Sequence, residues 1–152
     1  MYAESDVGRT SFSRCLVCEA GSAEFAIPIE YLRGVEAGAE VTPLPQLPEW
    51  VAGLTTVRGA VLGVVDLARF LGLGKLPGRI ERLVICAAGG RQVALAVAAA
   101  RTIVDYAPAA LQEVGGSDVV GRYVSGLITG GEQTVPVLDV ERLLADDQLL
   151  RG

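Results

Sequence analysis

The side chains of this chain that could do chemistry are few. There is no histidine among its 152 residues, so the commonest general base and the commonest metal ligand are missing. That excludes Ser-His-acid triads, Cys-His dyads and zinc sites built with histidine. Cys15 and Cys18 have the Cys-x-x-Cys spacing of a redox or zinc half-site. A redox pair of this kind sits at a helix N-terminus, which lowers a thiol pKa. Here Cys15-Leu16-Val17-Cys18 reads as strand, where residues three apart point to opposite faces. No second ligand pair follows, and Cys86 takes the place of Cys18 in an internal repeat. Packing accounts for all three cysteines better than chemistry does. An odd count of thiols also fits a reducing compartment.

Asp66 and Asp139 are a matched pair of acids. An aspartic-protease reading would want a small hydroxyl residue and a glycine after each, but Leu67 and Val140 follow. Each acid instead ends a strand and opens a helical pattern, Asp-Leu-Ala-Arg-Phe-Leu and Asp-Val-Glu-Arg-Leu-Leu. The pattern predicts helix N-caps, whose carboxylates accept from free backbone N–H groups. Gly72-Leu73-Gly74-Lys75 is glycine-rich beside a cation, yet the phosphate-loop spacing fails: Arg69 stands at the first glycine and Leu76 at the hydroxyl. Arg58-Gly59 resists so plain a reading. It places a permanently charged, planar fork at a turn between two apolar strands, and such a fork suits recognition. At the corresponding place later in the chain stands Gly130-Gly131-Glu132, an ordinary turn.

The elements around these residues are short. The 19 glycines, the seven prolines and 51% hydrophobic residues point to strands and turns with a substantial core. Hairpins are predicted at Arg14–Ile29 and from Gly53 to Asp66. Tyr31, Leu32 and Val35 read as a short helical turn or irregular segment, and Pro48 as the first residue of one helical turn through Val51. Thr42–Pro48 reads as an extended, proline-bearing connector. The plan then repeats. Arg14–Gly21 matches Arg82–Gly89, Phe25–Ile29 matches Val93–Val97, and Val64–Leu71 matches Val137–Leu144, in order and about 70 residues apart. Two interleaved lobes of about five strands each are expected within a single domain over 12–152, after a frayed tail over 1–11. The net charge of −5 without a basic cluster argues against nucleic acid. The lack of a polybasic stretch, of an apolar N-terminal run and of a 20-residue apolar span gives a cytoplasmic expectation with no membrane insertion.

Taken together, Phe25-Ala26-Ile27-Pro28-Ile29, the Pro45–Gly53 linker, Thr56-Val57-Arg58-Gly59 and Val64-Val65-Asp66-Leu67 resemble the CheW-like domain family, over about Phe12 to Leu150. That family comprises chemotaxis coupling proteins and the regulatory domain of their partner histidine kinase, CheA. The resemblance implies an all-β fold of two five-stranded, SH3-like barrel lobes around a hydrophobic interface. It implies no catalysis, no cofactor and no metal. The partners it implies are a CheA-like kinase regulatory domain and the cytoplasmic tip of a chemoreceptor. Carried over by position, the resemblance puts Arg58 near the receptor-binding surface and Leu32 and Val35 in the partner-binding area, with Thr56, Val57 and Gly59 of the same signature as further partner-binding residues. The chain departs from the family pattern at Thr56 (asparagine), Gly63 (proline), Gly34 (an acid) and Val97-Ala98 (Val-Asp). The function expected is a non-enzymatic adaptor between receptors and kinase, in chemotaxis or a related motility system. The rival readings are a ligand-binding β-barrel and a self-associating structural module.

Overall fold

The computed structural model describes residues 13–37, 40–74, 79–106, 111–112, 119–130 and 133–151. The expected N-terminal tail lies outside them. The chain is mainly β and folds as the duplicated plan requires. Its first hairpin joins β1 (Ser13–Ala20) to β2 (Ala23–Pro28), with Pro28 closing the strand, and a 3₁₀ turn over Ile29–Tyr31 follows. Next come β3 (Leu32–Ala37), β4 (Val51–Val57), β5 (Ala60–Asp66) and the short helix α1 (Leu67–Phe70). The second round supplies β6 (Arg82–Ala88), β7 (Arg91–Val97), β8 (Ala99–Tyr106), β9 (Leu111–Gln112) and α2 (Val119–Arg122). It ends with β10 (Val124–Gly130), β11 (Gln133–Leu138), α3 (Val140–Ala145) and α4 (Gln148–Arg151).

The two halves of the chain are not the two lobes. Lobe I is a sheet in the order β8-β1-β2-β11-β10-β9, and lobe II has the order β3-β6-β7-β5-β4. Each hairpin is therefore completed by strands from the other half. The joints are symmetric: β11 runs parallel to β2 with Val137 opposite Ala26, and β5 runs parallel to β7 with Val64 opposite Ala94. Five principal strands make each sheet, and the two-residue β9 is added at the edge of lobe I.

This exchange explains why the hairpin strands are apolar on both faces. One face of β1 and β2 (Leu16, Cys18, Phe25, Ile27) and one face of β6 and β7 (Val84, Cys86, Val93, Leu95) meet in a core between the lobes. Leu67, Leu71, Val140, Leu143 and Leu144, from α1 and α3 and their ends, complete that core. The opposite faces fill the lobes: Leu62, Val64, Leu83, Ile85, Ala94 and Ala96 in lobe II, and Cys15, Ala26, Ile128 and Val137 in lobe I. Cys15 and Cys18 thus go to different cores, as strand spacing requires.

In lobe II the connector after β3 reaches the far edge of the sheet. After β3 the chain crosses to β4, where Thr42 and Leu54 exchange backbone hydrogen bonds of 2.8 and 2.9 Å. The Thr55 hydroxyl donates to the Glu40 carbonyl at 2.8 Å. Gly53 permits the crossing, because a Cβ there would lie 2.1 Å from the Thr42 carbonyl oxygen. In lobe I, β9 against β10 (Gln112 opposite Leu127) repeats the Thr42–Leu54 contact.

Two local expectations change. The segment Leu32–Val35 is strand, with the helical turn confined to Ile29–Tyr31 before it. Pro48 opens a hydrogen-bonded turn (Val51 N–H to the Pro48 carbonyl, 3.0 Å) and not a helix, because β4 begins at Val51. Both capping expectations hold: Asp66 accepts from the Arg69 amide at 3.2 Å and Asp139 from the Arg142 amide at 3.0 Å. Among the described residues no helix is long and apolar enough to cross a membrane.

Candidate partner-binding site

Thr56, Val57, Arg58 and Gly59 form the end of the β4–β5 hairpin, with Val57 opposite Ala60 across a two-residue turn. Arg58 has φ 52° and Gly59 φ 82°, so both turn residues are left-handed, as a type I′ turn demands. Glycine does this freely, and the space around Gly59 is open, so its requirement is conformational and not steric. Arginine does not do it freely. An L-residue in this region costs about 1–2 kcal/mol, and asparagine or aspartate would be the relaxed choice. The chain accepts that cost to hold a cation at the tip.

The guanidinium lies over β3. Its Nη2 is 3.8 Å from a Glu36 carboxylate oxygen, and the Arg58 side chain keeps 75% of its exposure. An exposed pair this long contributes almost nothing to stability. A Cβ built on Gly34 would be 3.5 Å from the same Nη2. Glu36, two residues beyond Gly34 on the same strand, is the carboxylate that Arg58 approaches. Beneath the guanidinium is a cavity of about 290 Å³ whose lining includes Arg33, Glu36, Val57, Leu62 and Ile85. A second, larger hollow of about 570 Å³ opens within lobe II, bordered by Glu36, Glu40, Thr56, Val57 and Val61.

The structure brings four of the six sequence-predicted residues together at this tip and separates the other two. Thr56 is exposed beside Val61, its cross-strand partner, whose side chain is 64% exposed. Val35 lies on β3, 41% exposed, and alternation turns it away from the face that carries Gly34 and Glu36. Leu32 packs against the interlobe core, opposite Cys86. Glu36 and Val61 border the site without having been singled out. Reading β3 as a strand would have found Glu36, since it shares a face with Gly34. Gly131 and Glu132 of the corresponding turn in lobe I lie outside the described residues.

No thiol is poised for chemistry. Burial pushes Cys18 and Cys86 up to about 12, and burial followed by the charge of Asp105 pushes Cys15 up to about 11. Tyr31 is pushed up to about 12, first by the hydrogen bond its hydroxyl donates to Glu141 at 2.6 Å.

Comparison with known proteins agrees with this architecture. A family model described as the CheW-like domain matches residues 14–148. Protein FrzA of Myxococcus xanthus is 31% identical over 132 residues, covering 82% of this chain and 80% of its own. A probable chemotaxis protein CheW of Rhizobium etli is 25% identical over 132 residues, 84% of each chain. The crystal structure of the scaffolding protein TtCheW from Thermoanaerobacter tengcongensis superposes with a TM-score of 0.81 at 20% identity, over 93% of this chain and 100% of that one. At that identity the likeness shows the fold.

Proposed function

This chain belongs to the CheW-like domain family, whose members are scaffold and coupling proteins of chemotaxis, and on that premise we propose that it is a non-enzymatic adaptor joining the cytoplasmic tip of a chemoreceptor to a CheA-type histidine kinase. It works as a soluble protein recruited to receptor arrays. The observation that carries the reading is Arg58. The fold accepts backbone strain to hold a cation at a hairpin tip, and among the described residues the anion paired with it is Glu36 at 3.8 Å. An arginine so placed is free to form a charge-assisted hydrogen bond to a partner. A receptor tip is a helical hairpin, which offers an apolar stripe and polar flanks. Val57 and the exposed Val61 supply apolar contact beside the cation.

Thr56 stands where the family signature has asparagine. A hydroxyl offers one donor and an acceptor oxygen where an amide offers two donors and a carbonyl acceptor, so one donor is lost there and Arg58 carries more of the recognition. The test is co-purification of receptor-tip and kinase regulatory-domain fragments with wild type and Arg58→Glu. Charge reversal removes tip capture and leaves the circular dichroism spectrum unchanged. Equal capture of the tip by both proteins, or an unfolded variant, contradicts the reading.

A further inference from the structure

Lobe I has a second hollow that the adaptor role does not use. Its floor and walls are Cys15 and Val17 of β1, Ala26 of β2, Val104 of β8, Ile128 of β10 and Val135 of β11, and it encloses about 390 Å³. The internal repeat explains why it is there. The residues matching Cys15, Val17 and Val135 in lobe II are Leu83, Ile85 and Leu62, and each is larger. Ala26 and Val137 match Ala94 and Val64 without change, and one exchange runs the other way, with Ile128 standing for Thr55. Among the described residues, lobe II uses its three larger side chains in a core of six buried residues, whereas the corresponding cluster in lobe I has four. Among the described residues, two barrels with the same strand plan therefore differ in the size of the side chains that fill them.

The volume is at the lower end of the range of small-molecule pockets, and the lining has their composition: an apolar body with a few polar groups at the mouth. Apolar cavities smaller than this stay dry and accept benzene. The mouth carries Glu24, Arg101, Thr102 and Asp105. Each acid at the mouth lies near an arginine. Arg101 bonds to Glu19 and lies 3.4 Å from Glu24, and Arg14 holds Asp105 at 2.9 Å. With Glu19, Glu24 and Asp105 against Arg14 and Arg101, the rim keeps one acid in excess, which repels an anion, and the floor favours an apolar body over any ion.

We propose that the interior of lobe I is a binding site for a small, uncharged, apolar molecule the size of one or two fused rings. The ring system lies on Cys15, Val17, Ala26 and Ile128, and a single hydrogen-bonding group reaches the rim. The site is on the lobe that does not carry Arg58, so a bound molecule would leave the hairpin tip open.

The probe is indole, titrated into the isotope-labelled protein and followed by amide chemical shifts. Saturable shifts confined to β1, β2, β8, β10 and β11 are expected, with an increase in Tm. The double variant Cys15→Leu/Val17→Ile installs the side chains that lobe II uses at these positions. It should unfold at the same or a higher temperature than wild type and lose at least about tenfold in indole affinity. Val17→Ile alone, a change of one methylene, should give an intermediate loss and covers the case in which the double variant does not fold. The absence of saturable shifts in wild type overturns the proposal, as does undiminished indole affinity in Val17→Ile.

Discussion

Arg58 is held where an arginine is not the relaxed residue, and that gives the residue a measurable signature. Replacing it with asparagine keeps the left-handed turn and supplies the Asn-Gly pair that type I′ turns prefer. Arg58→Asn should therefore raise stability by about 0.5–1 kcal/mol while weakening partner capture, because the ion pair with Glu36 that it removes is long and exposed. Urea denaturation with an unchanged m-value is the measurement; a fall in stability would mean the arginine is structural. The thiols make a second prediction. Their native pKa values are raised, so below the ordinary thiol value of 9.0 they are protonated in both states and cost nothing. Above it the unfolded chain ionises and the native chain does not. Stability should fall as pH rises from about 9 towards 11–12, by about 1.4 kcal/mol per pH unit for each thiol. Unfolding monitored between pH 8 and pH 11 tests this, with Cys18→Ala as the control that lessens the slope.

At the scale of elements, much of the plan was legible. The hairpins, the proline-bearing connector, the two helix caps and the repeat follow from alternation, turn residues and the Asp-x-x-Arg spacing. The repeat extends to hydrogen bonds that sequence does not show. The Asp66 amide donates to the Trp50 carbonyl at 2.7 Å, and the Asp139 amide to the Tyr123 carbonyl at 2.8 Å. Leu32–Val35 does not read as a strand in the sequence, because Gly34 and the charged Arg33 and Glu36 interrupt the apolar alternation by which a strand is recognised. β3 is set by pairing with β6, including a register shift between Leu32 and Gly34, and that pairing is a tertiary fact. Glu36 went unnoticed for the same reason. Gly63 faces α4, far along the chain, but packing does not demand a glycine there, because the nearest atom belongs to the flexible end of the 40% exposed Leu150 side chain. A Cβ there would come 2.8 Å from a Leu150 methyl, and α4 is anchored by buried Leu149, whose carbonyl accepts from the Trp50 indole at 2.7 Å. The caps yield a prediction at this scale. Asp139→Ala should cost about 0.5–2 kcal/mol, and Asp139→Asn, which still accepts, only a fraction of that, both read from thermal or urea unfolding. Equal losses for the two would contradict the capping role.

For the molecule as a whole, strand exchange is the dominant fact. Each lobe draws its hairpin from one half of the chain and its remaining strands from the other, and the largest core lies between the lobes. Neither half can bury its apolar faces alone, so a fragment ending in the 75–78 segment should be unfolded, and so should its complement. Mixing the two should restore the far-ultraviolet spectrum. The intact chain should unfold in one transition, with Trp50 fluorescence and backbone circular dichroism coincident; two separated transitions would show that the lobes are independent. The same exchange makes the pair of lobes a rigid support for the Arg58 turn, whose hairpin β4–β5 is braced by β7 from the second half. The direct measurement of the central claim is the affinity of a receptor-tip helical hairpin for wild type and for Arg58→Glu, by titration calorimetry. The account predicts a loss of at least about tenfold, about 1.4 kcal/mol, in a variant that unfolds at the wild-type temperature. Equal affinities would contradict it.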